Sequence, residues 1–116
     1  ADKMRKKRYS LRDYLQTIRD KGKTIYAYGA PAKGNTLLNY EGIDNELIDK
    51  SVEINELKVG KLLPVSNIPI ERESKEDTPD YYLLLSHNFE DEIIEKNKGS
   101  GVKFIIPFPE IRVVEA

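Results

Sequence analysis

The length, composition and charge of the sequence predict a single soluble globular domain. Its 116 residues suit one domain, and 39% hydrophobic with 34% charged residues favour a folded chain over a disordered one. A net charge of −1 gives no overall field favouring nucleic acid or a membrane surface, and the lack of cysteine excludes disulfides and thiolate metal sites. No apolar run approaches the ~20 residues of a transmembrane helix and no signal peptide is visible, so the predicted location is cytoplasmic.

The first quarter of the chain predicts a helix followed by a strand. Residues 3–8 are a basic cluster, predicted to be a solvated helix start or a linker, with a nucleic-acid patch as the alternative. Apolar residues then recur at helical spacing over 9–18, where Ser10 and Asp13 resemble a capping box. Residues 24–28 are rich in β-branched and aromatic residues, which predicts a strand.

The middle of the chain predicts a turn, a helix and two extended segments. After a turn at 29–33, a helix is predicted to begin at Gly34 or Asn35 and to end near Gly42. A short strand is predicted at 50–54. Residues 68–70 are expected to be extended, because proline disfavours helix at and before its own position.

The last third predicts a buried strand, a helix and one or two further strands. The apolar run at 80–85 suits a strand buried on both faces of a parallel sheet. Asn88 is predicted to cap the helix that follows, a second buried strand is predicted at 102–106, and a last one at 111–114. Strands that alternate with helices predict an α/β fold. We therefore expect a single Rossmann-like domain with a mainly parallel sheet of about five strands and helices on both faces.

The turn after the first strand is the strongest candidate for a binding site. A strand–turn–helix layout aims backbone N–H groups and the positive end of the helix dipole at an anion. The spacing is not that of a Walker A loop, because Lys33 precedes the second glycine, and Pro31 replaces the middle glycine of the dinucleotide fingerprint. An ordinary turn with a solvated lysine is the alternative. The candidate phosphate-binding residues are Gly29, Ala30, Pro31, Ala32, Lys33, Gly34, Asn35 and Thr36.

Two further candidates follow later strands. Glu53 ends the second strand about twenty residues after the glycine turn, where an acid can hold ribose hydroxyls. His87 and Asn88 follow the buried strand, at the sheet edge where open α/β sheets bind ligands. The alternative for Glu53 is an exposed carboxylate at a strand end without a ligand. The alternative for His87 is a surface or helix-capping histidine. The sequence shows no cluster at metal-ligand spacing and no nucleophile with a partnered histidine, so no catalytic or metal-binding residue is predicted.

The residues around the turn resemble a known family. Residues 28–40 are similar to the signature of the C-terminal domain of sugar C-methyltransferases, enzymes that methylate a ring carbon of deoxysugar nucleotides. Further stretches agree in order and spacing, namely 58–64, 68–70, 79–85 with Asn88 and Glu92, and 104–109. The chain departs from the family pattern at Glu53 to Glu56, at Val65, where glycine is usual, and at His87, where tryptophan is common.

The resemblance implies a part of a larger enzyme. Residues 1–8 would be a linker or helix start, and residues 9–116 a Rossmann-like substrate-binding domain without its own cofactor or catalytic base. Zinc and S-adenosylmethionine would bind upstream domains, and Ala1 also suggests that the chain begins within a longer protein. The turn 29–35 would face the nucleotide diphosphate of a nucleotide-linked sugar, with Glu53 and Asn55 lining the same crevice.

The expected partners are therefore that sugar substrate and the upstream methyltransferase domain, and the isolated chain is expected to be inactive. Two alternatives stay open at this point. One is a free-standing nucleotide- or CoA-binding regulatory module, and the other is a purely structural docking domain.

Overall fold

One sheet and the helices packed on it make up the described part of the chain. The structure is a computed structural model that describes residues 10–29, 32–53, 57–74, 76–86, 90–107 and 111–116. In these ranges the elements in chain order are α1 (Leu11–Asp20), β1 (Ile25–Tyr28), α2 (Ala32–Glu41), β2 (Ser51–Glu53), β3 (Ile70–Arg72), β4 (Tyr81–Leu84), α3 (Glu90–Lys96), β5 (Lys103–Ile106) and β6 (Arg112–Glu115).

The sheet is mixed and mostly parallel. Its strand order is β3-β2-β1-β4-β5-β6, and the first five strands along the chain all run parallel. They end together at what we call the carboxyl edge. The prediction of a mainly parallel sheet is confirmed, but the sheet has six strands rather than about five. The additional strand is β3, for which only extended backbone was predicted. β6 was predicted as a strand, and it turns back antiparallel to β5. The Rossmann-like assignment stays a prediction.

Helices cover both faces of the sheet, as predicted. Because side chains alternate along a strand, Ala27 and Leu83 face α1 and α2, whereas Tyr28 and Leu84 face α3. We call these the first face and the second face. On the first face the core includes Leu15 of α1 and Leu38 of α2. The second face holds an aromatic cluster of Tyr28, Tyr82 and Phe104.

The helix starts follow local chemistry. Ser10 caps α1, since its Oγ accepts the Asp13 N–H at 3.0 Å, and this confirms the predicted cap. The predicted start of α2 is wrong by two or three residues, since the helix begins at Ala32 rather than at Gly34 or Asn35. Alanine and lysine are strong helix formers, whereas glycine and asparagine are weaker, so the first turn of α2 takes in the end of the predicted loop.

The connection between β3 and β4 crosses the second face without a helix in its described residues. Because β3 and β4 are parallel in one sheet, residues 73–80 must return from the carboxyl edge to the opposite edge, which we call the amino edge. Tyr26 Oη donates to Asp77 Oδ1 at 2.6 Å, and Lys96 Nζ lies 2.6 Å from Glu73 Oε1. These contacts tie the connection to β1 and to α3.

Val65→Gly is expected to raise the free energy of unfolding by about 1 kcal/mol. Val65 lies at the tip of a tight hairpin with φ +70° and its side chain 80% exposed. A left-handed backbone conformation strains a β-branched residue but costs glycine no strain. Because the Val65 side chain is mostly exposed, its removal loses little packing. Urea unfolding measures the change, with Val65→Ala as the control that keeps a Cβ atom. A Val65→Gly protein less stable than both others would contradict the strain.

Candidate functional site

The ends of β1 and β4 meet at the carboxyl edge. β2 and β3 lie on one side of β1 while β5 and β6 lie beyond β4, so the connections diverge between β1 and β4. Open α/β sheets bind ligands in the crevice at such a point. Gly29 follows β1 with φ +92°, and a Cβ atom there would lie 1.9 Å from Ser86 Oγ. Only glycine fits both this close approach and this φ.

Buried hydrogen bonds hold the start of the turn. The Gly29 N–H donates to the Val52 carbonyl at 2.8 Å, and Ser51 Oγ donates to the Gly29 carbonyl at 2.7 Å. Ser51 is fully buried, so its hydroxyl is available only to the turn. Sequence reasoning missed both Ser51 and Ser86. The available signal was a serine inside or directly after an otherwise apolar strand.

Gly34 brings the first turn of α2 against the end of β4. A Cβ atom on Gly34 would lie 2.8 Å from Leu85 Cβ, so the helix rests on the sheet closer than any side chain at this position would allow. The first backbone N–H groups of α2 therefore lie beside the crevice, where the helix dipole favours negative charge. The backbone of Ala32 and Lys33 belongs to this turn, while their side chains lie outside the described ones.

The Asn35 side chain has an unusual environment. Its Oδ1 is buried and accepts no hydrogen bond from any residue that the structure describes. Buried side-chain acceptors are nearly always paired, so this amide oxygen lacks an N–H or O–H donor. Thr36, next along the helix, is exposed. Asn35 is thus the predicted turn residue with the clearest unmet hydrogen-bonding need.

Some of the predicted site residues lie together at the carboxyl edge, and others fall outside the residues that the structure describes. Glu53 ends β2, the strand beside β1, and so lies at the same edge as Gly29 and Ser86. This placement agrees with the prediction for Glu53, and its ligand role stays a prediction. The predicted site residues outside the described ranges are Ala30, Pro31, Asn55, His87 and Asn88.

Comparison with known proteins assigns the family. Residues 1–109 match the C-methyltransferase C-terminal domain family. The chain belongs to this family. It is also 40% identical over 114 residues to the C-methyltransferase NovU of Streptomyces niveus. That alignment covers 94% of this chain and 27% of NovU, so this C-methyltransferase C-terminal domain spans about a quarter of its relative's length. The predicted resemblance is confirmed.

A polar cluster on the second face of this C-methyltransferase C-terminal domain was not predicted. Lys50 Nζ contacts Asp77 and Glu71, and it lies 4.9 Å from the centre of the Tyr26 ring. Burial, and then the hydrogen bond to Asp77, raises the pKa of Tyr26 to about 12. The hydrogen bonds from Lys50 and Tyr26 lower the pKa of Asp77. Burial alone would lower the pKa of Lys50, but its bonds to Asp77 and Glu71 outweigh this and raise it.

The polar cluster around Lys50 holds parts of the fold together. It joins β1, the start of β2 and the β3–β4 connection through paired charges, so the second face keeps its arrangement near neutral pH. In the described ranges, no three His, Cys, Asp or Glu side chains are grouped as a metal site. No helix that the structure describes is long and apolar enough to cross a membrane.

Proposed function

We propose that this C-methyltransferase C-terminal domain binds the nucleotide-diphosphate part of a deoxysugar substrate at the carboxyl edge. Methyl transfer would take place in upstream domains of the parent enzyme, which would bind S-adenosylmethionine and zinc, in the cytoplasm. The observation that carries the proposal is the crevice between β1 and β4, where Gly29, Ser86 and the first turn of α2 converge. The strand order also supports the Rossmann-like prediction.

Each part of the crevice suits one part of such a ligand. The first N–H groups of α2 suit the diphosphate, and the lack of a side chain at Gly29 makes room for Ser86 beside it. The Lys33 ammonium would add a charged contact. Asn35 Oδ1 is buried and lacks a donor among the described residues, so its side chain would turn towards the crevice to bind a hydroxyl or base N–H group of the ligand. Glu53 at the end of β2 suits ribose hydroxyls.

Titration of the domain with a panel of ligands tests the proposal. Amide NMR signals are followed while UDP-glucose, dTDP-glucose, GDP-mannose, CoA or inorganic phosphate is added. We expect saturable shifts at residues 29–36 with at least one nucleotide-sugar and no methyl transfer by the isolated domain. Shifts with CoA alone would favour the regulatory module instead. No shift with any of the five would leave a structural docking domain.

Charge removal sharpens the same experiment. Lys33→Ala should weaken nucleotide-sugar binding by roughly 1.5–3 kcal/mol, the scale of a charged hydrogen bond. The matched control is Lys21→Ala, because Lys21 is exposed at the far end of α1 and lies outside the crevice. Equal affinities for the two variants and the wild type would contradict a phosphate contact by Lys33.

A further inference from the structure

A cavity of about 290 Å³ lies on the second face, away from the crevice. It lies between the β3–β4 connection and the turn that follows α3. In an α/β sheet a helix usually covers this place, but the described residues of the connection form none, so the space is left open. The lining residues that could contact a ligand include Glu73, Ser74, Tyr82, Lys96, Asn97, Lys98 and Ser100. None of these belongs to the proposed nucleotide site.

The cavity carries an excess of positive charge. Lys96 Nζ lies 2.6 Å from Glu73 Oε1 and 3.3 Å from Tyr28 Oη, so its charge is compensated inside the fold. Lys98 makes no ion pair with a residue that the structure describes. One lysine on the rim therefore stays available to an anion.

Tyr82 gives the cavity a hydroxyl that has no partner among the described residues. The residue is 1% exposed, and its ring packs against Tyr28 and Phe104 at centroid distances of 5.0 and 5.4 Å. The hydroxyls of Tyr26 and Tyr28 both have hydrogen-bond partners, whereas no described residue bonds the Tyr82 hydroxyl. Tyr82 lines the cavity, so a ligand bound there would offer its hydroxyl a partner.

We propose that this cavity binds a small sugar phosphate, independently of the nucleotide site. Its volume is at the lower end for ligand pockets, which favours a compact ligand over a whole nucleotide-sugar. Lys98 suits the phosphate. The Ser74 and Ser100 hydroxyls each accept a backbone N–H at 3.3 Å and keep their own O–H to donate to a sugar hydroxyl. The Asn97 amide donates one N–H to the Ile93 carbonyl at 2.8 Å and keeps the other for the ligand, and Tyr82 lines the same cavity.

NMR titration with glucose 6-phosphate, glucose and inorganic phosphate tests the inference. We expect saturable shifts at residues 97–100 with glucose 6-phosphate and weaker binding of the other two compounds. Equally tight binding of inorganic phosphate would overturn the proposal, since the site would then recognise only an anion. The absence of a saturable shift at residues 97–100 with glucose 6-phosphate would also overturn it.

Two variants separate a ligand site from a folding feature. Lys98→Ala should weaken glucose 6-phosphate binding about tenfold or more, while the control Lys61→Ala, exposed and outside the cavity, should not. Tyr82→Phe keeps the packed ring, so the melting temperature should be unchanged or higher while binding weakens. A large fall in melting temperature with unchanged binding would assign the hydroxyl to folding and overturn its ligand role.

Discussion

Gly29→Ala should destabilise the domain by about 3 kcal/mol, because two penalties coincide at one atom. The backbone there has φ +92°, which L side chains rarely adopt. The new Cβ would also lie 1.9 Å from Ser86 Oγ and 3.0 Å from Ser86 Cβ. Rotation of the serine can relieve the first contact but not the second. Equilibrium urea unfolding measures the loss.

Two further variants separate the backbone strain at positive φ from the steric overlap with Ser86. Gly22→Ala carries a similar φ of +80° with nothing within 4 Å, so it should cost only about 1 kcal/mol. In a Ser86→Gly background, Gly29→Ala should recover part of its loss because the overlapping side chain is gone. Equal losses for Gly29→Ala with and without Ser86 would show that the close approach of β1 and β4 is not what limits this position.

The domain should lose stability steeply between about pH 10 and pH 12. Burial raises the pKa of Tyr26 to about 12, and burial followed by the charge of Glu73 raises the pKa of Tyr82. A group whose folded pKa is raised holds its proton longer in the folded chain. Its contribution is complete below the unfolded pKa and is lost as the pH rises towards the folded value. Tyr26 alone should account for roughly 2 kcal/mol.

Urea unfolding across this pH range checks the loss. Tyr26→Phe should reduce the loss of unfolding free energy between about pH 10 and pH 12. It also removes the hydrogen bond to Asp77 and so lowers the stability near pH 8. Tyr40→Phe is the matched control, because that side chain is 86% exposed and should leave the profile as it is. A free energy of unfolding that stays constant up to about pH 12 would contradict the protected phenols.

Local patterns predicted most of the fold. Short apolar runs located β1, β4 and β5, a serine located the start of α1, and strand–helix alternation predicted the parallel sheet with helices on both faces. Proline next to Ile70 favoured extended backbone but did not show that β3 joins the sheet, since strand pairing depends on residues far along the chain. For the same reason β6 could be predicted as a strand but not as an antiparallel one.

The candidate sites depend more on contacts between distant residues. Two glycines in the turn were visible in the sequence. Their close approach to Ser86 and Leu85 could not be predicted, because it depends on the register in which β1 pairs with β4. The cavity lined by Tyr82 was not predictable, because it forms where a connection lacks the helix that usually fills that place. Sequence patterns show which side chains are apolar, while unpaired buried groups appear only once the chain is folded.

The antiparallel return of β6 has a practical consequence. Glu115 pairs with Lys103 at the start of β5, and the Ala116 N–H donates to the Val102 carbonyl at 3.0 Å. Residue 116 therefore lies at the amino edge, roughly 13 Å along the strands from the crevice at the carboxyl edge. A tag added after Ala116 would anchor the domain to a sensor surface with the nucleotide crevice facing the solution.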